Sequence, residues 1–216
     1  MKKVAVINAG VGTPSNTKML IDAITGALES QVSKRGDAVE IETINLRPLA
    51  NELATVMTTG MAGEKLTQAK KTLSAADGVI AASPVFTSSY TGLFKMFMDS
   101  LDTNALNGMP VLIAATAGTP RHALMLDYAM RPLFTYLRAT VMPTGVFAAT
   151  EDFGQEADLT RRANRAASEL AGYLLATTGA VEGFGPDLTE SAPERKDGVN
   201  VSHSRDFEDL LRGHEG

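Results

Sequence analysis

The 216-residue sequence predicts an α/β fold: a doubly wound, five-stranded parallel sheet in the order 2-1-3-4-5, with helices on both faces. Three observations predict it. Short apolar runs alternate with segments of helical period as far as about residue 177, the pattern of parallel strands joined by crossover helices. The runs at 4–7, 78–82 and 110–115 are apolar at nearly every position, as strands covered on both faces must be. Small, polar loops follow strands one, three and four, at the carboxyl edge where open sheets of this kind bind ligands.

Taken in order, Val4, Ala5, Val6 and Ile7 make strand one. Residues 17–34 form a helix, because Met19, Leu20, Ala23, Ile24, Ala27 and Leu28 recur at three-and-four spacing. Residues 39–44 alternate apolar with acidic, which predicts a second strand nearer an edge. Residues 49–61 read as irregular and 64–76 as helical. Strand three, at 78–82, breaks at Pro84, and a helix runs over about 91–101. Strand four covers 110–115. A long helix at 121–137 is kinked at Pro132, since proline removes an internal hydrogen bond. Val141, Met142 and Pro143 with 145–149 make a broken fifth strand, and 158–177 is the last helix. Residues 1–179 are thus expected to be one domain. Residues 180–216 are a Gly-, Pro- and charge-rich acidic extension, expected to be extended or partly disordered.

Composition excludes several chemistries. The chain has no cysteine, so disulfides, thiolate nucleophiles and thiolate metal sites are absent. It has three histidines, His122, His203 and His214, too few and too scattered to predict a metal site. Residues 180–216 carry nine acids and four bases, which accounts for the whole net charge of −5 and leaves residues 1–179 neutral. A neutral body shows no gross electrostatic footprint for nucleic acid, which usually appears as a basic face, so no nucleic-acid partner is expected. No apolar run reaches the length of a membrane span, and no secretory signal pattern precedes strand one, so the expectation is a cytoplasmic protein.

The three loops carry the functional signal. Strand one ends at Asn8, and Ala9, Gly10, Val11, Gly12, Thr13 and Pro14 lead to Ser15, Asn16 and Thr17 at the start of the first helix. A helix start favours an anion, and the hydroxyls add neutral donors, which suits a phosphate monoester held by hydrogen bonds rather than by arginines. The loop lacks the Gly-Lys-Ser/Thr ending of a Walker loop, and Ser15 stands where a dinucleotide fingerprint has its third glycine. Simple helix capping by Ser15 or Asn16 fits the same residues. After strand three come Pro84, Val85, Phe86, Thr87, Ser88, Ser89, Tyr90, Thr91 and Gly92, which offer amides and hydroxyls beside an aromatic and suit a flat polar ring. After strand four come Thr116, Ala117, Gly118, Thr119, Pro120, Arg121 and His122. A tight turn at Gly118 and a locally bonded His122 are the plain structural alternative. No nucleophile or general base stands out in these loops, so a bound cofactor must carry the chemistry.

These residues resemble the NADPH-dependent FMN reductases of the flavodoxin-like fold, and in particular the flavin reductase components of two-component monooxygenase systems. The resemblance covers roughly residues 1–150 and rests on Ser15-Asn16-Thr17, on 84–95, and on 116–122 with Leu126, Asp127, Tyr128, Ala129, Met130, Arg131 and Pro132. The loop before the first helix is shorter than the family's. The resemblance implies that Ser15, Asn16 and Thr17 hold the FMN phosphate. Pro84, Val85, Phe86, Thr87 and Ser88 would contact the ribityl chain and isoalloxazine ring, and Thr116, Ala117, Gly118 and Thr119 would border the ring. It also implies a homodimer or homotetramer, with helices beginning near Thr91 and Arg121 in the interface, and no metal.

On that reading hydride passes from the nicotinamide of NADPH or NADH to flavin N5, and no side chain is an obligatory catalyst. The expected role is to supply reduced FMN to a partner flavin-dependent monooxygenase. Two other readings use the same fold. One is a reductase of quinones, azo dyes or metal oxyanions with FMN tightly held; the other is a flavodoxin-type electron carrier. A non-enzymatic scaffold whose acidic extension docks a partner is the reading outside flavin chemistry.

Overall fold

A computed structural model describes residues 1–154 and 156–176. Strand β1 (Lys2–Asn8) lies at the centre of one half of a parallel sheet, and helix α1 (Asn16–Ser33) crosses back to β2 (Val39–Asn45) at the edge. The half-exposed alternation of β2 follows from that edge position, which covers only one face well. A 3-10 turn (Arg47–Leu49) and helices α2 (Ala50–Thr59) and α3 (Glu64–Ser74) return the chain to β3 (Gly78–Phe86). A short strand β4 (Ser89–Tyr90) folds back on β3, and α4 (Gly92–Asp99) leads to β5 (Pro110–Ala117). A 3-10 turn (Pro120–His122), a π turn (Leu126–Met130) and α5 (Arg131–Tyr136) precede β6 (Thr140–Val141) and β7 (Val146–Ala149). A 3-10 turn (Thr150–Gly154) then leads to α6 (Glu156–Ala176).

The sheet order is β2-β1-β3-β5-β6, with β7 also paired to β5 and β4 paired antiparallel to β3. With β6 and β7 as the two halves of a broken fifth strand, this is the expected order 2-1-3-4-5 of a flavodoxin-like fold. Strand residues sort by parity into two cores. Val4, Val6, Ile80, Ala82, Leu112 and Ala114 face α1 and α6. Ala5, Ile7, Val79, Ala81, Val111 and Ile113 face α2, α3, α4 and α5. Burial on both faces is why these strands are apolar at successive positions rather than at alternate ones.

Three local expectations are corrected. The sheet does not stop at Pro84: β3 runs on to Phe86, and Pro84 pairs in register with Thr116. The carbonyl of Ala82 faces β1, where it accepts from the Ala9 amide at 3.0 Å, so Pro84, two residues on, faces the same way past the end of β1. Its missing N–H therefore removes no ladder bond. Residues 49–61 are not irregular: α2 buries Leu53 and Val56, and Gly60, at φ 74°, ends it. The continuous helix expected over 121–137 is instead a 3-10 turn, a π turn and α5, with Arg121 in the first of these. Pro132 cannot donate, and the turn before it widens so that the Arg131 amide reaches the Leu126 carbonyl five residues back. The extension at 180–216 and the expected helix end at Thr177 lie outside the described residues.

Candidate functional site

Three strand-to-helix loops and one turn close a cleft of about 330 Å³ at the carboxyl edge of the sheet. Its lining comprises Val11, Gly12, Pro14, Ser15, Asn16 and Thr17 from the first loop, Pro84, Val85 and Phe86 from β3, Thr116, Ala117 and Gly118 from β5, and Thr150 beyond β7. None of these residues is ionisable, so whatever the cleft binds meets amides, hydroxyls and apolar surface.

The first loop is built by close backbone approach. Asn8 ends β1 with its Oδ1 accepting from the Gly10 amide at 2.9 Å, while its Nδ2 donates to Asn45 Oδ1 at 2.9 Å, which ties β1 to β2. A Cβ at Gly10 would stand 2.6 Å from Ser15 Oγ, and one at Gly12 would stand 2.9 Å from the Pro14 carbonyl, so both positions must lack a side chain. The Thr13–Pro14 peptide is cis. Ser15 caps α1, its Oγ accepting from the Lys18 amide at 3.2 Å. The amides of Asn16 and Thr17 carry no acceptor among the described residues and are available at the positive end of the helix dipole. Capping and anion binding are therefore compatible here: Ser15 takes one amide and leaves two. Lys18, by contrast, is committed to Asp22 at 2.6 Å on the exposed flank of α1.

The floor of the cleft is one buried hydrogen bond. Thr17 Oγ1 and Thr116 Oγ1 lie 2.9 Å apart, both residues buried, and join the start of α1 to the end of β5. On the second wall, β3 and β4 form a hairpin whose two turn residues, Thr87 and Ser88, have φ of 50° and 65°. Thr87, Ser88 and Thr119, which were expected at the site, are not among the residues that line the cleft. Ser83 anchors the hairpin from below: its buried Oγ accepts from the Thr91 amide at 3.0 Å and donates to the Pro84 carbonyl at 2.9 Å. Thr91 in turn caps α4 by accepting from the Phe94 amide. Phe86 stands exposed at the lip.

The fourth wall was not anticipated from the sequence. Thr150 is held by a network below it, in which Asp152 accepts from the Ala149 amide at 2.6 Å and from Arg162 at 2.5 Å. Arg162 also donates to Asp158 and to the Phe147 carbonyl. The predicted residues Ser15, Asn16, Thr17, Pro84, Val85, Phe86, Thr116, Ala117 and Gly118 do converge on the cleft. Val11, Gly12, Pro14 and Thr150 join them. The first three flank predicted positions and were legible as loop, whereas Thr150 is brought in only by the pairing of β7 with β5. Among the described residues no cluster of acids and histidines could hold a metal ion.

This fold and site define a flavodoxin-like protein whose cleft, at the carboxyl edge of the sheet, offers amides and hydroxyls beside small and apolar surface. Residues 2–154 match the family model described as NADPH-dependent FMN reductase. The chain is 37% identical to the FMN reductase (NADPH) of Pseudomonas aeruginosa over 70% of its length and 78% of that protein's. It is 34% identical to the NADH-dependent FMN reductase SfnF of Pseudomonas putida, over 71% of this chain and 80% of that one. A solved oxidoreductase from Corynebacterium diphtheriae superposes with a TM-score of 0.79 at 54% identity, covering 82% of this chain and 98% of that chain. The chain belongs to the NADPH-dependent FMN reductase family and is an NAD(P)H:FMN oxidoreductase.

Proposed function

We propose that the cleft holds FMN with its phosphate on the Ser15-Asn16-Thr17 turn and its ring between Pro84-Val85-Phe86 and Thr116-Ala117-Gly118, and that the reduced FMN is released to a flavin-dependent monooxygenase. The carrying observation is the lining itself: free helix amides and hydroxyls at one end, small and apolar residues at the other, and no ionisable side chain. FMN, when bound, supplies a ring that accepts hydride at N5 from a reduced nicotinamide. The chain's own residues bind and orient. The Asn16 and Thr17 amides meet the phosphate, the Thr17–Thr116 bond keeps the two loops at fixed separation, and Ser83 holds the hairpin wall. Thr87 and Ser88 form the turn of the hairpin wall, and Thr119 precedes the 3-10 turn that follows β5.

The exposed Leu124, Tyr128 and Tyr136, all on the segment between β5 and β6, support a homo-oligomer formed through that side. None of the described helices is long and apolar enough to cross a membrane, and the working location is the cytoplasm. Residues 1–179 constitute the reductase unit and 180–216 an appended acidic extension.

The test is anaerobic addition of NADPH, or of NADH in parallel, to protein with stoichiometric FMN, followed by desalting. Bleaching of the visible flavin band and loss of flavin on the column are the expected results. Flavin that is reduced but stays with the protein would replace flavin supply by a tightly bound reductase of quinones, azo dyes or metal oxyanions. Flavin that binds and stays oxidised would make the protein a carrier.

A further inference from the structure

The phosphate loop contains no cation of its own, and the one nearest in sequence, Lys18, is neutralised by Asp22. A cation reaches the loop from elsewhere. Arg47 opens the 3-10 turn just after β2, and its Nη1 donates to Thr13 Oγ1 at 3.3 Å. Thr13 sits between Gly12 and Pro14, both of which line the cleft. Arg47 is exposed and makes no ion pair with any acid among the described residues, so its charge is uncompensated and its remaining N–H groups are free. The placement is produced by the sheet: β2 runs parallel to β1 in register from Lys2↔Val39 to Asn8↔Asn45, so both strands end together and the two following loops meet. The Asn8–Asn45 bond closes that junction.

Resting on the reading that this cleft takes FMN, we propose that Arg47 is the electrostatic determinant for the flavin's phosphate. Thr13 holds the guanidinium at the rim of the loop, where it supplies the positive charge the loop lacks and so selects phosphorylated over unphosphorylated flavin. A phosphate monoester carries close to two negative charges at neutral pH, and an arginine stays protonated throughout the working range. The amides of Asn16 and Thr17 set where the phosphate sits; Arg47 raises its affinity and makes that affinity sensitive to salt.

The proposal is tested by equilibrium binding of FMN and of riboflavin, followed by flavin fluorescence at low and at high salt. The proteins are the wild type, Arg47→Gln, Arg47→Lys, and Lys65→Gln as a control that removes an exposed charge from α3. Arg47→Gln is expected to weaken FMN roughly fivefold or more at low salt, the effect of one charge pair in water at contact distance. Riboflavin binding should not change, the difference should shrink at high salt, and Arg47→Lys and Lys65→Gln should stay close to wild type. Because Arg47 is exposed, its replacement leaves the core intact. Unchanged FMN binding in Arg47→Gln, or an equal loss for both flavins, overturns the proposal while leaving the FMN site standing. An effect confined to the KM for NADPH also overturns it, by assigning Arg47 to the nicotinamide nucleotide's phosphate. A wild type that binds neither flavin would instead remove the functional reading beneath it.

Discussion

At the residue scale, the site depends on a few buried polar groups whose partners come from distant segments. The Thr17–Thr116 pair is the clearest, because each hydroxyl is the other's partner across the floor of the cleft. Replacing either threonine by valine strands one hydroxyl and should cost about 1–2 kcal/mol in urea denaturation. The double variant should recover part of that loss, and a simple sum of the two single losses would show that the pair is not coupled. Away from the cleft, Lys70 on α3 is a second buried polar group with a distant partner. Only 4% exposed, it donates to the Ser100 carbonyl at the end of α4, and burial lowers its pKa from the usual 10.5. Between the folded value and 10.5 the unfolded chain binds the extra proton, so stability should rise with pH through that alkaline interval. Lys70→Met should flatten this rise; a rise of the same size in the variant would place its origin in another group.

At the element scale, the β3–β4 hairpin is the wall whose local chemistry conflicts with its shape. Both turn residues are left-handed, as a two-residue hairpin turn of the primed kind requires, yet neither Thr87 nor Ser88 is a residue type that favours that region. Replacing them with Asn and Gly should stabilise the protein by about 1 kcal/mol, read as a higher Tm. No gain would show that packing around the turn already removes the strain. The same hairpin explains why strand three was read too short. Pro84 is a strand breaker wherever a ladder bond is needed, and the place where none is needed is visible only once β1 is known to end at Asn8. Helix α2 was missed for a related reason. Its buried residues are Leu53 and Val56 alone, and the rest mixes threonine, asparagine and glutamate with two alanines and the exposed Met57, a pattern a loop would also carry.

At the scale of the whole molecule, the described residues hold both cores and all four walls of the cleft. Among the described residues, two layers of helix cover the sheet, α1 with α6 on one face and α2 to α5 on the other. A chain ending at residue 179 is accordingly expected to fold, bind FMN and reduce it with the same preference between NADH and NADPH as the full chain. Loss of FMN binding on truncation would make 180–216 part of the reductase unit rather than an appendage.

Periodicity and composition by themselves determined the α/β class, the succession of strands and helices along most of the chain and the three loops that supply most of the cleft, because burial on both faces and small polar residues at strand ends leave a local mark. The absence of cysteine removed thiolate chemistry in the same way. Tertiary structure alone decided the rest. Thr150 reaches the cleft through strand pairing, Thr17 meets Thr116 across ninety-nine residues, and Arg47 arrives beside Thr13 because two parallel strands end in register. Such contacts between segments far apart in the chain carry no periodic signal in either one; they exist only when the sheet sets the two ends side by side.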